Sequence, residues 1–155
     1  MSPENNSDVI FIMGPTGTGK SSLALRLSDV YPIEIISVDS VQIYKDLNIG
    51  SAKPSRIHKK KVRHHLIDIC ELDETYSAAR FCEDAQKAVL EIRARGKVPL
   101  FVGGTGLYFK SFLCGLSRLP KSDPNIRYQL EKDLERVGLE ELHKKLRTLD
   151  PSAAE

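Results

Sequence analysis

The sequence predicts an α/β fold in which a parallel sheet carries helices on both sides and a helical segment follows. Three observations support that prediction. Short runs of branched apolar residues alternate with stretches of helical periodicity, the pattern of strand-helix-strand units. A glycine-rich turn follows the first apolar run directly, and beyond Pro120 the strands give way to two amphipathic helices.

At 155 residues the chain suits one domain of ordinary size with a substantial core. It is 41% hydrophobic and 28% charged and has no tryptophan, which is the profile of a globular chain and not of a disordered one. Cys70, Cys82 and Cys114 are scattered and show no metal or redox spacing, so they read as reduced core residues. No run reaches the ~18 apolar residues of a membrane span. Met1 to Asp8 is polar and acidic, unlike a secretory leader. A disordered start over 1–8, no membrane contact and a cytoplasmic location are therefore expected. The net charge of +2 does not by itself imply a nucleic-acid partner. Arg56 to His65 stands apart, with five Lys/Arg and three His in ten positions; it reads either as a solvated surface loop or as the footprint of a polyanion.

In chain order, Val9 to Met13 is a continuous branched apolar run, as in a strand buried on both faces. A helix is expected from Lys20, containing Leu23, Leu25 and Leu27 and ending before Pro32. Ile33 to Val38 is a second strand that delivers Asp39 at its carboxyl end. Ser40 to Pro54 has few periodic cues and reads as a functional loop, and His64 to Ile69 as a third short strand. Phe81, Cys82, Ala85, Ala88, Val89 and Ile92 recur at helical spacing, with Ser77 as cap and Gly96 as stop. Val98 to Gly104 is another strand entering a glycine turn, followed by a helix in "TGLYFKSFLCGL". Asp123 then caps a helix with Pro124 at its first position, and Ile126, Leu130, Leu134 and Val137 line one face before Gly138. Leu139, Leu142, Leu146 and Leu149 mark a second amphipathic helix, and Asp150-Pro151 resembles the start of a third.

"GPTGTGKS", Gly14 to Ser21, is the P-loop pattern in its required place between a strand and a helix. Gly14, Gly17 and Gly19 permit close backbone approach, so successive N–H groups of the loop, which also holds Pro15, Thr16 and Thr18, can converge on phosphate oxygens. Lys20 supplies a point charge, and the Ser21 hydroxyl suits a Mg²⁺ that shares its other ligands with water and phosphate. Kinases, GTPases and ATPases share this device, so the loop alone leaves the ligand's identity open. Asp39 sits where parallel sheets bind ligands. It would hold Mg²⁺ in a phosphotransferase, take a proton from the acceptor in another group transfer, or serve only as a turn or cap aspartate.

"GPTGTGKS", "ISVDSVQIYKDLNIGSAKP", "HHLIDI", "YSAARF" and "PLFVGGTGLYFKSFL", in this order, resemble the N-terminal half of the tRNA dimethylallyltransferase (isopentenyltransferase) family. The likeness runs from about residue 9 to the last residue; where the family commonly has threonine, this chain has Ser51. The resemblance implies a P-loop NTPase-like core over 9–118, the start of a helical tRNA-binding insertion over 119–155, and a chain that is incomplete. It implies that the bound phosphate is the diphosphate of dimethylallyl diphosphate with Mg²⁺. The five-carbon group would pass to N6 of the adenosine 3′-adjacent to the anticodon, within the anticodon stem-loop of tRNA.

By the same matching Asp39 becomes the general base and Thr16 lies beside the diphosphate. Asp39, Ser40, Val41 and Gln42 would meet the adenosine, with Gln42 reading its edge, and Thr105 and Arg127 would touch the tRNA. Read without the resemblance, Thr105 is a helix cap and Arg127 a solvated helical arginine. His64 and His65, adjacent on a strand, point to opposite faces and do not suggest a metal pair. A small-molecule or nucleotide kinase, and a non-catalytic fragment that binds diphosphate or RNA, are the competing functions.

Overall fold

The structure, a computed structural model, describes residues 9–116 and 123–155. The expected disordered start, 1–8, and the expected boundary at 118–119 lie outside the described residues. Two compact units are present, one ending at Leu116 and the other containing residues 123–155.

In the first unit β1 (Ile10–Met13), β2 (Ile33–Val38), β3 (His64–His65) and β4 (Val98–Gly103) form one parallel sheet in the order β1-β4-β2-β3. Helices α1 (Lys20–Leu27), α2 (Arg56–Lys61), α3 (Ala78–Ala94) and α4 (Gly106–Cys114) connect or follow the strands. Side chains alternate across the central strands with the period of two that a pleated strand imposes. Ile33, Ile35, Leu100 and Val102 pack with Ala24 of α1 on one face. On the other, Ile36, Val38 and Phe101 meet Phe81, Ala85 and Ile92 of α3 and Phe109 and Phe112 of α4. The parallel sheet flanked by helices is therefore as expected.

Several elements differ from expectation. β1 is not buried on both faces: among the described residues it pairs with β4 alone, at the sheet's edge, so Ile10 and Met13 remain exposed while Phe11 packs on Phe101 with ring centroids 5.1 Å apart. The third strand is only His64–His65, because Leu66 (φ 60°) and Asp68 (φ 59°) are left-handed and cannot continue a ladder. The basic stretch is not a loop. Ser55 accepts from the His58 N–H and starts α2 there, a helix that buries no residue. Of the three cysteines Cys70 is buried, Cys82 is half-buried and Cys114 is exposed, so the last is not a core residue.

The long helix α3 begins and ends as its sequence indicates, with the Ser77 hydroxyl accepting from Arg80 N–H and Gly96 at φ 69° just beyond its end. Its C-cap residue, Arg95, serves β2. Glu34 is 1% exposed, and Arg95 donates to both its carboxylate oxygens, at 3.1 and 2.8 Å, while His65 Nε2 lies 2.7 Å away and Lys97 3.4 Å away. Burial pushes this carboxyl up, but the hydrogen bonds from Arg95 and His65, with Lys97 behind them, outweigh it and bring it from 4.5 to about 2.

In the second unit Asp123 Oδ1 accepts from Asn125 N–H at 2.8 Å and α5 (Pro124–Leu149) follows. Gly138, at φ 80° and ψ 166°, interrupts it, so this span is the two helices that the sequence predicts. Ile126, Leu130, Leu134 and Val137 are exposed. Asp150-Pro151 starts a turn, with Ala153 N–H bonded to Asp150 Oδ1, and not a third helix.

Candidate active site

The loop after β1 is shaped by two glycines that only a left-handed backbone satisfies, Gly17 at φ 84° and Gly19 at φ 83°. Gly19 is also the N-cap residue of α1 and offers no side chain, so the first amides of α1 face outward at the positive end of the helix dipole. The Pro15 carbonyl holds the loop closed: Thr18 Oγ1 donates to it at 2.8 Å and Lys20 Nζ at 2.5 Å. Lys20 is thereby held at the loop that a phosphate would occupy.

β1 and β2 are not neighbours, because β4 lies between them. What brings their loops together is Gly103. A Cβ there would lie 2.0 Å from the Val38 carbonyl oxygen, and the same oxygen accepts from Gly104 N–H and Thr105 N–H, both at 3.2 Å. On its other side Gly103 O accepts from Gly14 N–H at 3.4 Å. One residue without a side chain thus couples the phosphate loop to the end of β2.

Asp39 follows directly. Its Oδ1 accepts from Val41 N–H at 2.8 Å and Gln42 N–H at 3.1 Å, an Asx turn that fixes the carboxylate. The turn geometry is as expected, and Asp39 also lines a cleft of about 670 Å³ shared with Thr16, Gly17, Gly19, Lys20 and Ser21. Ser40 and Val41 are exposed beside it. Thr105 does not cap α4 with its side chain; its Oγ1 accepts instead from Ser40 N–H at 3.1 Å and so anchors the start of this turn. The Gln42 amide, expected to read a base edge, is occupied inside the protein by Ser37 Oγ and the carbonyls of Ser51 and Ala52. Arg127 lies in the second unit, exposed, with Nε 3.4 Å from Glu131 Oε1.

The far wall of the cleft is the segment Gly50 to Ser55. Lys53, whose side chain is only 6% exposed, donates to the Tyr44 carbonyl and to Asp68 Oδ1, each at 2.6 Å, and Lys59 of α2 reaches Asp68 Oδ2 at 2.7 Å. Burial pushes the Asp68 carboxyl up, yet the hydrogen bonds from Lys53 and Lys59 outweigh it and hold the group below its ordinary value. His64, also on the cleft wall, is pushed below the ordinary histidine value by burial, with Lys59 and His58 adding to the effect. His64 Nδ1 lies 2.8 Å from the Val62 carbonyl whereas His65 engages Glu34, so the two rings serve opposite sides of the strand.

Among the described residues no cluster of three or more His, Cys, Asp or Glu side chains is placed to hold a metal by itself. The cleft offers the Ser21 hydroxyl and the Asp39 carboxylate, hard oxygen donors that suit Mg²⁺ only when a phosphate and water complete its shell. The residues present fit that ion as a companion of a diphosphate. No described helix is long and apolar enough to cross a membrane.

A parallel α/β sheet with a glycine-rich loop after its first strand, facing a fixed carboxylate across one cleft, places the chain among α/β proteins built on a P-loop-like turn. Comparison with known proteins narrows the class: residues 42–155 match the family described as IPP transferase, and the chain belongs to that family. It is 49% identical over 154 residues to the tRNA dimethylallyltransferase of Acidithiobacillus ferrooxidans, covering 99% of this chain and 45% of that protein. It is likewise 49% identical over 145 residues to that of Thiobacillus denitrificans, covering 94% of this chain and 46% of that protein. Among solved structures it resembles the full-length tRNA isopentenylpyrophosphate transferase of Bacillus halodurans (37% identity, TM-score 0.69, 95% of this chain and 49% of that one). It also resembles a eukaryotic dimethylallyltransferase described as acting on tRNA (31% identity, TM-score 0.77, 94% of this chain and 36% of that one). The chain spans just under half the length of the curated relatives it matches.

The sequence did not indicate the roles of Ser37, Gly103 and Lys53. The glycine pair at 103–104 signalled a turn, but the close approach to Val38 needs a strand pairing that no local pattern encodes.

Proposed function

We propose that this chain supplies the donor and acceptor sites of a tRNA dimethylallyltransferase. The enzyme moves the dimethylallyl group from dimethylallyl diphosphate to N6 of the adenosine 3′-adjacent to the anticodon. The observation that supports this most directly is the shared cleft, with the anion loop on one side and a fixed Asp39 carboxylate on the other.

The donor's diphosphate lies on the amides of Thr16 to Ser21, with Lys20 turning from the Pro15 carbonyl to the phosphate oxygens and Thr16 beside them. Ser21 would hold Mg²⁺ through its hydroxyl, and the ion, when bound, would supply charge neutralisation for the leaving diphosphate. The acceptor adenine is splayed from its stack and enters from the side of Ser40 and Val41. As the N6–carbon bond forms and the donor's carbon–oxygen bond breaks, the N6 proton passes to Asp39, and pyrophosphate leaves. Two amides occupy Oδ1, which leaves Oδ2 to receive that proton.

RNA is held by charge outside the cleft. Arg56, Lys60 and Arg63 have no ion pair among the described residues, whereas Lys59 and Lys61 are spent on Asp68 and Asp29. Residues 123–155, with Arg127, form the base of a helical arm for the anticodon stem, and a cytoplasmic location goes with that substrate.

The test is incubation of the protein with tRNA and labelled dimethylallyl diphosphate, with labelled ATP in parallel. Label entering tRNA from the first is expected; phosphate transfer from ATP instead would make the protein a kinase. Asp39→Asn is expected to lower turnover by about 10² to 10⁴ while sparing pyrophosphate affinity. Undiminished turnover would remove Asp39 as the base.

A further inference from the structure

Gln42 sits where the acceptor side of the cleft joins the carboxylate. Its backbone N–H donates to Asp39 Oδ1 at 3.1 Å. Its side chain reaches the other way: Nε2 donates to the carbonyls of Ser51 at 3.3 Å and Ala52 at 3.1 Å, and Oε1 accepts from the Ser37 hydroxyl at 3.0 Å. The partners dictate the amide's orientation, because a flipped amide would set Oε1 against two carbonyl oxygens. Both Nε2 protons are therefore committed within the protein, and none remains to donate to a base.

The peptide it grips needs gripping. Ala52 is left-handed at φ 50°, a conformation that a Cβ disfavours, and Gly50 is left-handed at φ 74° just before it. Lys53 follows and is hooked to Tyr44 and Asp68. The far wall of the cleft thus hangs from two hooks, of which Gln42 is the one that also touches Asp39.

We propose that Gln42 is a positioning residue: it clamps the Ser51 and Ala52 carbonyls while its main chain holds Asp39, setting the wall that presents the acceptor, and does not itself read the base edge. The inference deepens the transfer function proposed above, yet its geometry is measurable without turnover.

Two variants test it. Gln42→Glu keeps the size but turns the donor into an oxygen that repels both carbonyls, and Gln42→Met removes every polar contact. By ¹⁵N relaxation on the free chain, backbone order parameters of Ser51, Ala52 and Lys53 are expected to fall from about 0.85 to below about 0.6 in both, with β2 and β4 unchanged. Values that stay at the wild-type level would overturn the clamp. Should neither variant fold, Ser37→Ala removes one strut alone; a smaller loss of order at the same three residues is expected, and no loss would overturn it.

In the transfer assay both variants are expected to lower kcat about tenfold at saturating tRNA, with pyrophosphate affinity within about twofold of wild type. Acceptor tRNA carrying 1-deaza- or 7-deaza-adenosine is expected to lose the same factor with wild type and with Gln42→Met. A penalty that vanishes in the variant would mean that Gln42 reads the edge, and would overturn the proposal. If the wild-type protein transfers no dimethylallyl group, the transfer function fails, while the relaxation result still decides the clamp.

Discussion

Gly103→Ala tests whether one missing side chain holds the site together. The new Cβ would lie 2.0 Å from Val38 O, 2.5 Å from Val38 C and 2.8 Å from Val38 Cβ, and the first two are backbone atoms that no rotamer change can move. β2 and β4 must therefore separate at their carboxyl ends. Four hydrogen bonds depend on that junction: Gly104 N–H and Thr105 N–H to Val38 O, Ser40 N–H to Thr105 Oγ1, and Gly14 N–H to Gly103 O. At about 1 kcal/mol each, their loss amounts to about 4 kcal/mol, a large part of a domain's stability. Urea unfolding followed by circular dichroism measures it, with Gly96→Ala as the control. Gly96 is left-handed at φ 69° with open space around it, so its alanine variant is expected to lose only about 1–2 kcal/mol from strain. A Gly103→Ala variant that loses no more than this control would refute the argument that close approach, and not torsion, requires glycine at the junction.

Two further predictions concern charge. Glu34 has its carboxyl lowered from 4.5 to about 2, so its contribution of about 3 kcal/mol is complete above pH 4.5 and is lost as pH falls from there towards 2. Urea midpoints of wild type and Glu34→Gln across that window should diverge in slope, and parallel curves would show that the buried Glu34 carboxylate and its partners do not drive acid unfolding. Lys20→Ala should weaken pyrophosphate binding about 10- to 100-fold by calorimetry, the value of a charge-assisted hydrogen bond, with little effect on stability because its contact to Pro15 is exposed. Equal affinity in the variant would remove Lys20 from the anion site.

The linear order of residues determined much of the fold and half of the site. Apolar runs at 33–38 and 98–103 can be satisfied only by burial on both faces, and the caps at Ser77 and Asp123 act within one helical turn. The glycines at 17 and 19 likewise announce local torsions, so the turn of the glycine loop was legible before any packing was known. Tertiary structure decided what depends on pairing between distant segments. β1 was separated from β2 because β4 inserted between them, and the third strand shrank where Leu66 and Asp68 turned left-handed. The sequence offers Gln42 as a reader of a base edge and Thr105 as a helix cap, yet Gln42 Nε2 donates to the Ser51 carbonyl nine residues on and Thr105 Oγ1 accepts from Ser40 N–H across 65 residues. The physical reason is range: torsional preference and periodicity act over one or two turns of chain. A hydrogen bond or a 2.0 Å clash forms only once the sheet has brought its partners together.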